Sequence, residues 1–215
     1  MAHEYAHAEA AYRQGDDTAY MLGRLTLNPL KHIDPFMTIV FPIVLWFSSN
    51  GSFTFAAAKP VPVTPRKYRN FRRGDIIVSL AGIVTNLALF VVSSGLFAVV
   101  GLMATALPSL GGTWAILQRM LFYGMWMNLL LAFFNLLPIP PLDGSHVFKY
   151  LLSPEASVKY RELYRFGYLP ILAFLVFVRL VPAASGVYLW PMQVLLRGAM
   201  SLVGQFTISD GVGLP

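Results

Sequence analysis

From Ile76 to Gln118 the chain carries no charged side chain. A helix needs about 20 consecutive apolar residues to cross the hydrocarbon core of a bilayer, so this run is long enough to hold one clear spanning helix. The turn-forming stretch from Pro108 to Gly112 divides the run. The pattern therefore predicts one spanning helix over about 76–104 and a second over about 115–137.

The composition agrees with a membrane-embedded chain. Hydrophobic residues make up 56% of the sequence and charged residues only 12%, whereas a soluble domain typically carries about 25% charged residues. Two more apolar segments follow at about 166–182 and 187–205, and a shorter one at 36–48, interrupted by Pro42, predicts a short or re-entrant segment. We expect an all-α polytopic membrane protein with a bundle of about four to six membrane helices.

A small β element is expected near the membrane surface. Residues 19–28 alternate enough to form a short strand, and residues 53–58 are suited to a second. Three prolines between Lys59 and Pro65 hold the following segment extended.

The formal net charge is +6. A basic chain can bind nucleic acid, but these basic residues lie in short segments that flank apolar runs, so a nucleic-acid partner is excluded. Basic loops mark the cytoplasmic side of a membrane protein, and the densest one is therefore predicted to be cytoplasmic. It contains Arg66, Lys67, Arg69, Arg72 and Arg73. Because there is no cysteine, any metal ligands must be His, Asp or Glu.

Residues 3–7 read His-Glu-Tyr-Ala-His. The pattern H-E-x-x-H places two imidazoles four residues apart on one face of a helix, with a carboxylate beside them, and this suits a hydrolytic zinc site. His3 and His7 are the candidate ligands, and Glu4 is the candidate general base that accepts a proton from water. The alternative is an ordinary polar first turn of a helix.

A catalytic zinc usually has three protein ligands, and among the few acidic residues Asp143 is the leading candidate for the third. It follows Pro138, Pro140 and Pro141 at the end of a predicted spanning helix. Irregular backbone at membrane depth is tolerated only where protein or a polar cavity surrounds it, and an ionisable group there is a functional candidate. The alternative is a helix-exit aspartate in an ordinary turn.

Five stretches in chain order carry a resemblance to a known family. They are His3-Glu-Tyr-Ala-His7, Leu25-Thr-Leu-Asn-Pro-Leu-Lys-His-Ile-Asp-Pro35, Ala58-Lys-Pro-Val-Pro-Val63, Ala81-Gly-Ile-Val-Thr-Asn86 and Phe134-Asn-Leu-Leu-Pro-Ile-Pro-Pro-Leu-Asp-Gly144. With them the chain resembles the site-2 protease family of intramembrane zinc metallopeptidases, in its compact bacterial subgroup without an inserted PDZ domain. One departure is Ile83 after Gly82, where family members commonly have proline.

The resemblance implies that His3, His7 and Asp143 bind one zinc ion per chain and that Glu4 activates water. It implies an enzyme, an intramembrane zinc endopeptidase, whose substrate is a transmembrane segment of another protein in the bilayer. We expect a multi-pass protein of the bacterial inner membrane with its active site towards the cytoplasmic side. The oligomeric state is left open.

The whole chain, 1–215, is expected to form one domain, with the core motifs in 1–150 and C-terminal membrane helices in 166–205. The family places a membrane helix ahead of the H-E-x-x-H motif, so a chain that begins two residues before His3 is expected to be truncated at its N-terminus.

Two asparagines in the matching stretches are candidates for substrate contact. Asn86 lies within the first predicted spanning helix, where it either faces the active-site cavity or makes an interhelical hydrogen bond. Asn135 lies at the end of the second. An extended edge at 19–28 or 53–63 is expected to pair with an unwound substrate by strand addition.

Two other functions stay open on sequence grounds. One is a catalytically inactive relative that binds membrane partners. The other is a metal or solute transporter, which the lack of an internal repeat disfavours.

Overall fold

The computed structural model describes residues 1–51, 54, 56 and 58–208, and every regular element among them is helical. The chain divides into two compact units, Met1–Gly82 and Ile83–Pro215. The α-helices are α1 (Ala2–Arg13), α2 (Thr18–Met21), α3 (Phe41–Ser48), α4 (Phe71–Ala106), α5 (Gly111–Leu136), α6 (Asp143–Phe148), α7 (Pro154–Glu162), α8 (Leu169–Leu180) and α9 (Pro182–Val203).

Two helical segments are long and apolar enough to cross a membrane. They are α4, with 36 residues, and the segment Pro108–Leu136, with 29 residues, which consists of a single 3₁₀ turn and α5. The predicted spans at 76–104 and 115–137 fall within these two segments, except for Leu137, which follows the last residue of the second helix.

A third span exists only if two helices joined by a sharp bend count as one. These are Pro154–Phe166 and Leu169–Leu180, which meet at 87°. Within the described residues the count is therefore two or three, below the predicted four to six. One reason is length: α8 has 12 residues and reaches about 18 Å, which is short of a hydrocarbon core about 30 Å thick.

The strand predicted at 19–28 is wrong, because α2 occupies its first part. The carboxylate of Asp16 accepts hydrogen bonds from the backbone N–H (3.0 Å) and the hydroxyl of Thr18, two residues on, and so forms a turn directly ahead of α2. Gly23, at φ +61°, then turns the chain. A local side-chain to backbone hydrogen bond therefore competes with the extended conformation that the alternating pattern favours.

The second predicted strand, at 53–58, lies partly outside the described residues, which omit positions 53, 55 and 57. Positions 54, 56 and 58 belong to no regular element. Beyond them, the N–H of Lys59 donates to the carbonyl of His32 (2.9 Å), so a backbone hydrogen bond joins two loops of the first unit. The described residues thus form no β element.

The predicted short apolar segment at 36–48 is confirmed as a short helix, Pro35–Ser48. It begins as a π-helical turn, Pro35–Val40, and continues as α3. The carboxylate of Asp34 caps its start by accepting the backbone N–H groups of Phe36 (2.9 Å) and Met37 (2.8 Å).

The first unit packs around the small residues of α1. Ala8 is fully buried against Ala19 and Val61, and Ala11 is fully buried against Tyr68 and Val78. Since an alanine side chain is one methyl group, the backbone of α1 approaches its neighbours closely.

The second unit has its core where α4, α5 and α9 meet. Phe97, Phe122 and Met125 form its buried centre, with Leu196 and Met200 of α9 packed against them. The helices hold together here by close packing of large apolar side chains.

Candidate metal centre

The two histidines of the H-E-x-x-H motif face each other on α1. The Nε2 atoms of His3 and His7 lie 3.0 Å apart, as expected for positions i and i+4 on one helix face. Two imidazole nitrogens that share a tetrahedral zinc at 2.0–2.1 Å lie about 3.3 Å apart. The pair therefore matches the spacing of two zinc ligands to within a few tenths of an ångström.

The orientation of the His7 ring is fixed by a second hydrogen bond. Its Nδ1 lies 2.7 Å from the carbonyl oxygen of Val78 on α4, within the same unit. A carbonyl can only accept, so Nδ1 carries the proton and the lone pair of Nε2 is left to bind a metal. This is the usual support of a metal-binding histidine.

Gly82 provides the space that the two imidazoles occupy. A Cβ atom added to this glycine would lie 2.5 Å from His3 Cε1 and 2.5 Å from His7 Nε2. Real Cβ contacts are essentially never that short, so only glycine allows α4 to pass so close to the ring nitrogens. The sequence offered a signal, a glycine inside an apolar helix, but it did not reveal which atoms need the space.

Glu4 is held by the backbone of the proline-rich stretch itself. Its Oε2 accepts the backbone N–H of Val61 at 3.1 Å. Three residues on, the N–H of Thr64 donates to Asp16 Oδ2 at 2.5 Å. These two bonds fasten residues 61–64 beside α1, so the backbone of this loop orients the carboxylate that the sequence predicts as the base.

Asp143 is the first residue of α6 and is half-buried. Its neighbour Gly144 comes so close to the end of α5 that a Cβ there would lie 2.1 Å from the carbonyl oxygen of Leu136. The prolines that stop α5 and this close approach together set where Asp143 lies in the second unit.

Two tyrosines that sequence reasoning missed bind the turn around Asp143. The hydroxyl of Tyr164 hydrogen-bonds the buried Oγ of Ser145 at 2.7 Å. The hydroxyl of Tyr160 donates to the carbonyl of Pro138 at 3.0 Å. They lie in and just after α7, a charged segment whose sequence carries no motif, so no pattern marked them.

The two predicted substrate contacts lie in different settings. Asn86 is buried on α4, with 2% of its surface exposed. Asn135 donates from Nδ2 to the carbonyl of Leu131 on its own helix, at 2.9 Å. Its amide oxygen is the group that remains suited to accept a hydrogen bond from a substrate N–H.

Comparison with known proteins agrees with this chemistry. The family model of peptidase family M50 matches residues 1–178. YwhC of Bacillus subtilis (strain 168), named as a candidate zinc metalloprotease, is 39% identical over 193 residues, which cover 88% of this chain and 80% of YwhC.

Two mycobacterial proteins called Rip2, also named as candidate zinc metalloproteases, are similar over a smaller share of their length. The one from Mycolicibacterium smegmatis is 31% identical over 81% of this chain and 62% of its own length. The one from Mycobacterium tuberculosis (H37Rv) is 32% identical over 86% and 64%. This chain therefore spans a little under two thirds of these two relatives. No solved structure matches it.

Proposed function

The chain belongs to peptidase family M50, the site-2 protease family of zinc-dependent metalloproteases, and we propose that it cleaves transmembrane segments of other proteins within the bilayer. The observation that carries this proposal is the pair of imidazole nitrogens 3.0 Å apart, with Glu4 on the same helix. Membrane-length helices in the same chain support a substrate that is itself membrane-embedded.

In this mechanism His3 and His7 would hold the zinc through Nε2, and the carboxylate of Asp143 would supply the third ligand. Bound zinc supplies a Lewis acid that polarises the scissile carbonyl and lowers the pKa of water towards neutrality. Glu4 accepts a proton from the attacking water as the oxygen of that water bonds to the carbonyl carbon. The same carboxyl then gives that proton to the departing amide nitrogen as the C–N bond breaks.

Substrate positioning is assigned to three elements of this chain. The amides of Asn86 and Asn135 are suited to hydrogen-bond the backbone of a peptide that has been unwound. The segment 58–63 belongs to no regular element, and we propose that it pairs with the unwound substrate by strand addition. The carboxylate of Glu4 already binds the backbone of this segment at Val61, so a peptide paired there would lie beside the base.

We further propose that the protein lies in the bacterial inner membrane as a multi-pass protein, with the zinc site towards the cytoplasm. The support is the basic loop just before α4, because cytoplasmic loops are enriched in lysine and arginine.

Replacing Glu4 by glutamine is expected to keep zinc and lose hydrolysis. The amide cannot accept the water proton, so turnover should fall by roughly 10²- to 10⁴-fold, while His3 and His7 still bind the metal. Zinc content and cleavage of a transmembrane test substrate, both measured in proteoliposomes, check this. His7→Ala and Asp143→Ala are the matched variants, and each should lose zinc as well as turnover.

The same experiment separates the other functions. Equal turnover by wild type and Glu4→Gln would contradict the protease proposal. No turnover by either protein, with zinc retained, would favour an inactive relative.

Removing the hydroxyl of Tyr164 is expected to loosen the turn that carries Asp143. Tyr164→Phe loses the hydrogen bond to Ser145, which should lower stability by about 1 kcal/mol and weaken zinc binding by about tenfold, as outer-shell changes do. Chelator competition measures the affinity. Tyr168→Phe, four residues away, is the control and should leave both quantities unchanged. If Tyr164→Phe matched the control, Tyr164 would have no positioning role.

A further inference from the structure

We propose that the surface at the start of α4 binds the phosphate headgroup of an anionic phospholipid. This surface, the basic face, consists of exposed cationic residues of the first unit placed within eight consecutive positions. They are Arg66, Lys67, Arg69, Arg72 and Arg73.

The charge of Lys67 is paired with acidic side chains of the protein. The ammonium of Lys67 lies 2.5 Å from Asp17 Oδ1 and 3.9 Å from the buried Asp16. The hydrogen bond to Asp17 raises the pKa of Lys67, and the bond to Lys67 lowers the pKa of Asp17, so the pair stays ionised across the neutral range. The other four residues of the basic face are arginines.

The basic face adjoins a shallow cleft of about 320 Å³, which is lined by Asn70, Arg72, Arg73, Ile76 and Ile77. Ile76 follows Arg72 by four residues, and Ile77 follows Arg73 by four, so each isoleucine lies on the helix face of an arginine. Two cations thus lie one helical turn before an apolar wall.

The start of α4 presents these groups in a defined geometry. The side chain of Asn70 accepts the backbone N–H of Arg73 at 3.0 Å, which caps the first turn of the helix. The two arginines are therefore carried by ordered helical backbone and not by a loose tail.

The order of these groups along α4 favours a phospholipid over a nucleic acid or an acidic protein. The same helix continues as a 36-residue candidate membrane span, so the arginines lie where the span begins and the isoleucines lie one turn further along it. A phospholipid presents its phosphate and its acyl chains in that order. A nucleic acid or an acidic protein has no acyl chain that would follow its anionic group and contact Ile76 and Ile77.

The size of the cleft limits which part of the lipid it holds. At about 320 Å³ it lies at the lower end of the range for small-ligand pockets, roughly 300–1,000 Å³. It suits a phosphoglycerol headgroup and the first carbons of a chain, with the remaining chain along α4.

Titration of the full chain in a neutral detergent with short-chain phosphatidylglycerol tests the proposal. Dihexanoylphosphatidylcholine and inorganic phosphate are the comparison ligands, and the shift in thermal unfolding gives each affinity. We expect phosphatidylglycerol to stabilise wild type and the other two ligands to have little effect. The double variant R72Q/R73Q should bind phosphatidylglycerol roughly tenfold more weakly, since each basic residue near an anionic lipid surface contributes.

Two further double variants make the result specific. R161Q/R165Q removes the same two charges elsewhere in the chain and should bind like wild type. R72K/R73K keeps the charges and should bind within about threefold of wild type, because lysine also binds phosphate as a point charge. If R72Q/R73Q does not fold, Arg73→Gln alone carries the test, with an expected loss of roughly threefold or more.

Three results would overturn the proposal. The first is equal affinity for phosphatidylglycerol and phosphatidylcholine. The second is an equal loss in R161Q/R165Q, which would mean that only net charge matters. The third is stabilisation by inorganic phosphate as large as that by the lipid, which would make the surface a simple anion site.

Discussion

Gly82→Ala is expected to abolish zinc binding while leaving the chain folded. The added methyl group would lie 2.5 Å from His7 Nε2 and 2.6 Å from His3 Nε2, which are the two atoms that would bind the metal. Both belong to the ends of side chains, so the rings can turn away at a modest cost in stability. Once the rings have turned, the Nε2 atoms of His3 and His7 no longer point towards one metal ion.

The expected loss of zinc affinity in Gly82→Ala follows from the displacement of both histidine rings. Changes to groups that only orient a ligand cost about 10- to 100-fold in metal affinity. Here both ligands are displaced directly, so the zinc dissociation constant should rise by more than about 100-fold, and turnover should fall below detection. Chelator competition, zinc content and thermal unfolding of the metal-free protein measure the three quantities.

Gly95→Ala is the matched control for Gly82→Ala. Gly95 lies on the same helix, and a Cβ there meets nothing within 4 Å, so zinc affinity should match wild type. If Gly82→Ala bound zinc within about threefold of this control, His3 and His7 would not form the site in the arrangement described here.

Gly144→Ala is expected to destabilise the fold. In contrast to Gly82, the atoms that an added Cβ would meet here belong to the backbone and not to side chains. The added Cβ would lie 2.1 Å from the carbonyl oxygen and 2.4 Å from the carbonyl carbon of Leu136. Neither atom can rotate away, so the end of α5 or the start of α6 must shift. We expect a loss of about 3 kcal/mol or more in the free energy of unfolding.

The same shift would move Asp143, the neighbour of Gly144. A displacement of about 1 Å in a catalytic group costs about 10²-fold in rate, so the fraction of Gly144→Ala that folds should turn over at least that much more slowly. Chemical unfolding in detergent and turnover per folded molecule measure the two effects.

Gly198→Ala is the control for Gly144→Ala, since a Cβ at this position of α9 meets nothing within 4 Å. It should be neutral or slightly stabilising, as alanine usually is within a helix. Wild-type stability in Gly144→Ala would mean that the tight packing of α6 against the end of α5 is not required.

The correct sequence predictions are those that depend on local geometry. The spacing of His3 and His7 needs only one helix to bring the imidazoles together, because positions i and i+4 share a face. The two spanning helices follow from long, mostly apolar runs that are continuous along the chain. The prediction of a strand at 19–28 is wrong although the alternation is real, because the carboxylate of Asp16 hydrogen-bonds the backbone of Thr18 and a helical turn forms there.

By itself, then, the sequence determined the H-E-x-x-H helix, the two membrane-length helices and the family to which the chain belongs. Each of these depends on residues close together along the chain. Only the tertiary structure decided that Gly82 must lack a side chain, that the backbone of Val61 holds Glu4, and that Tyr164 binds Ser145. These contacts join residues distant in sequence, or carry no pattern, and they depend on how the backbones pack in three dimensions.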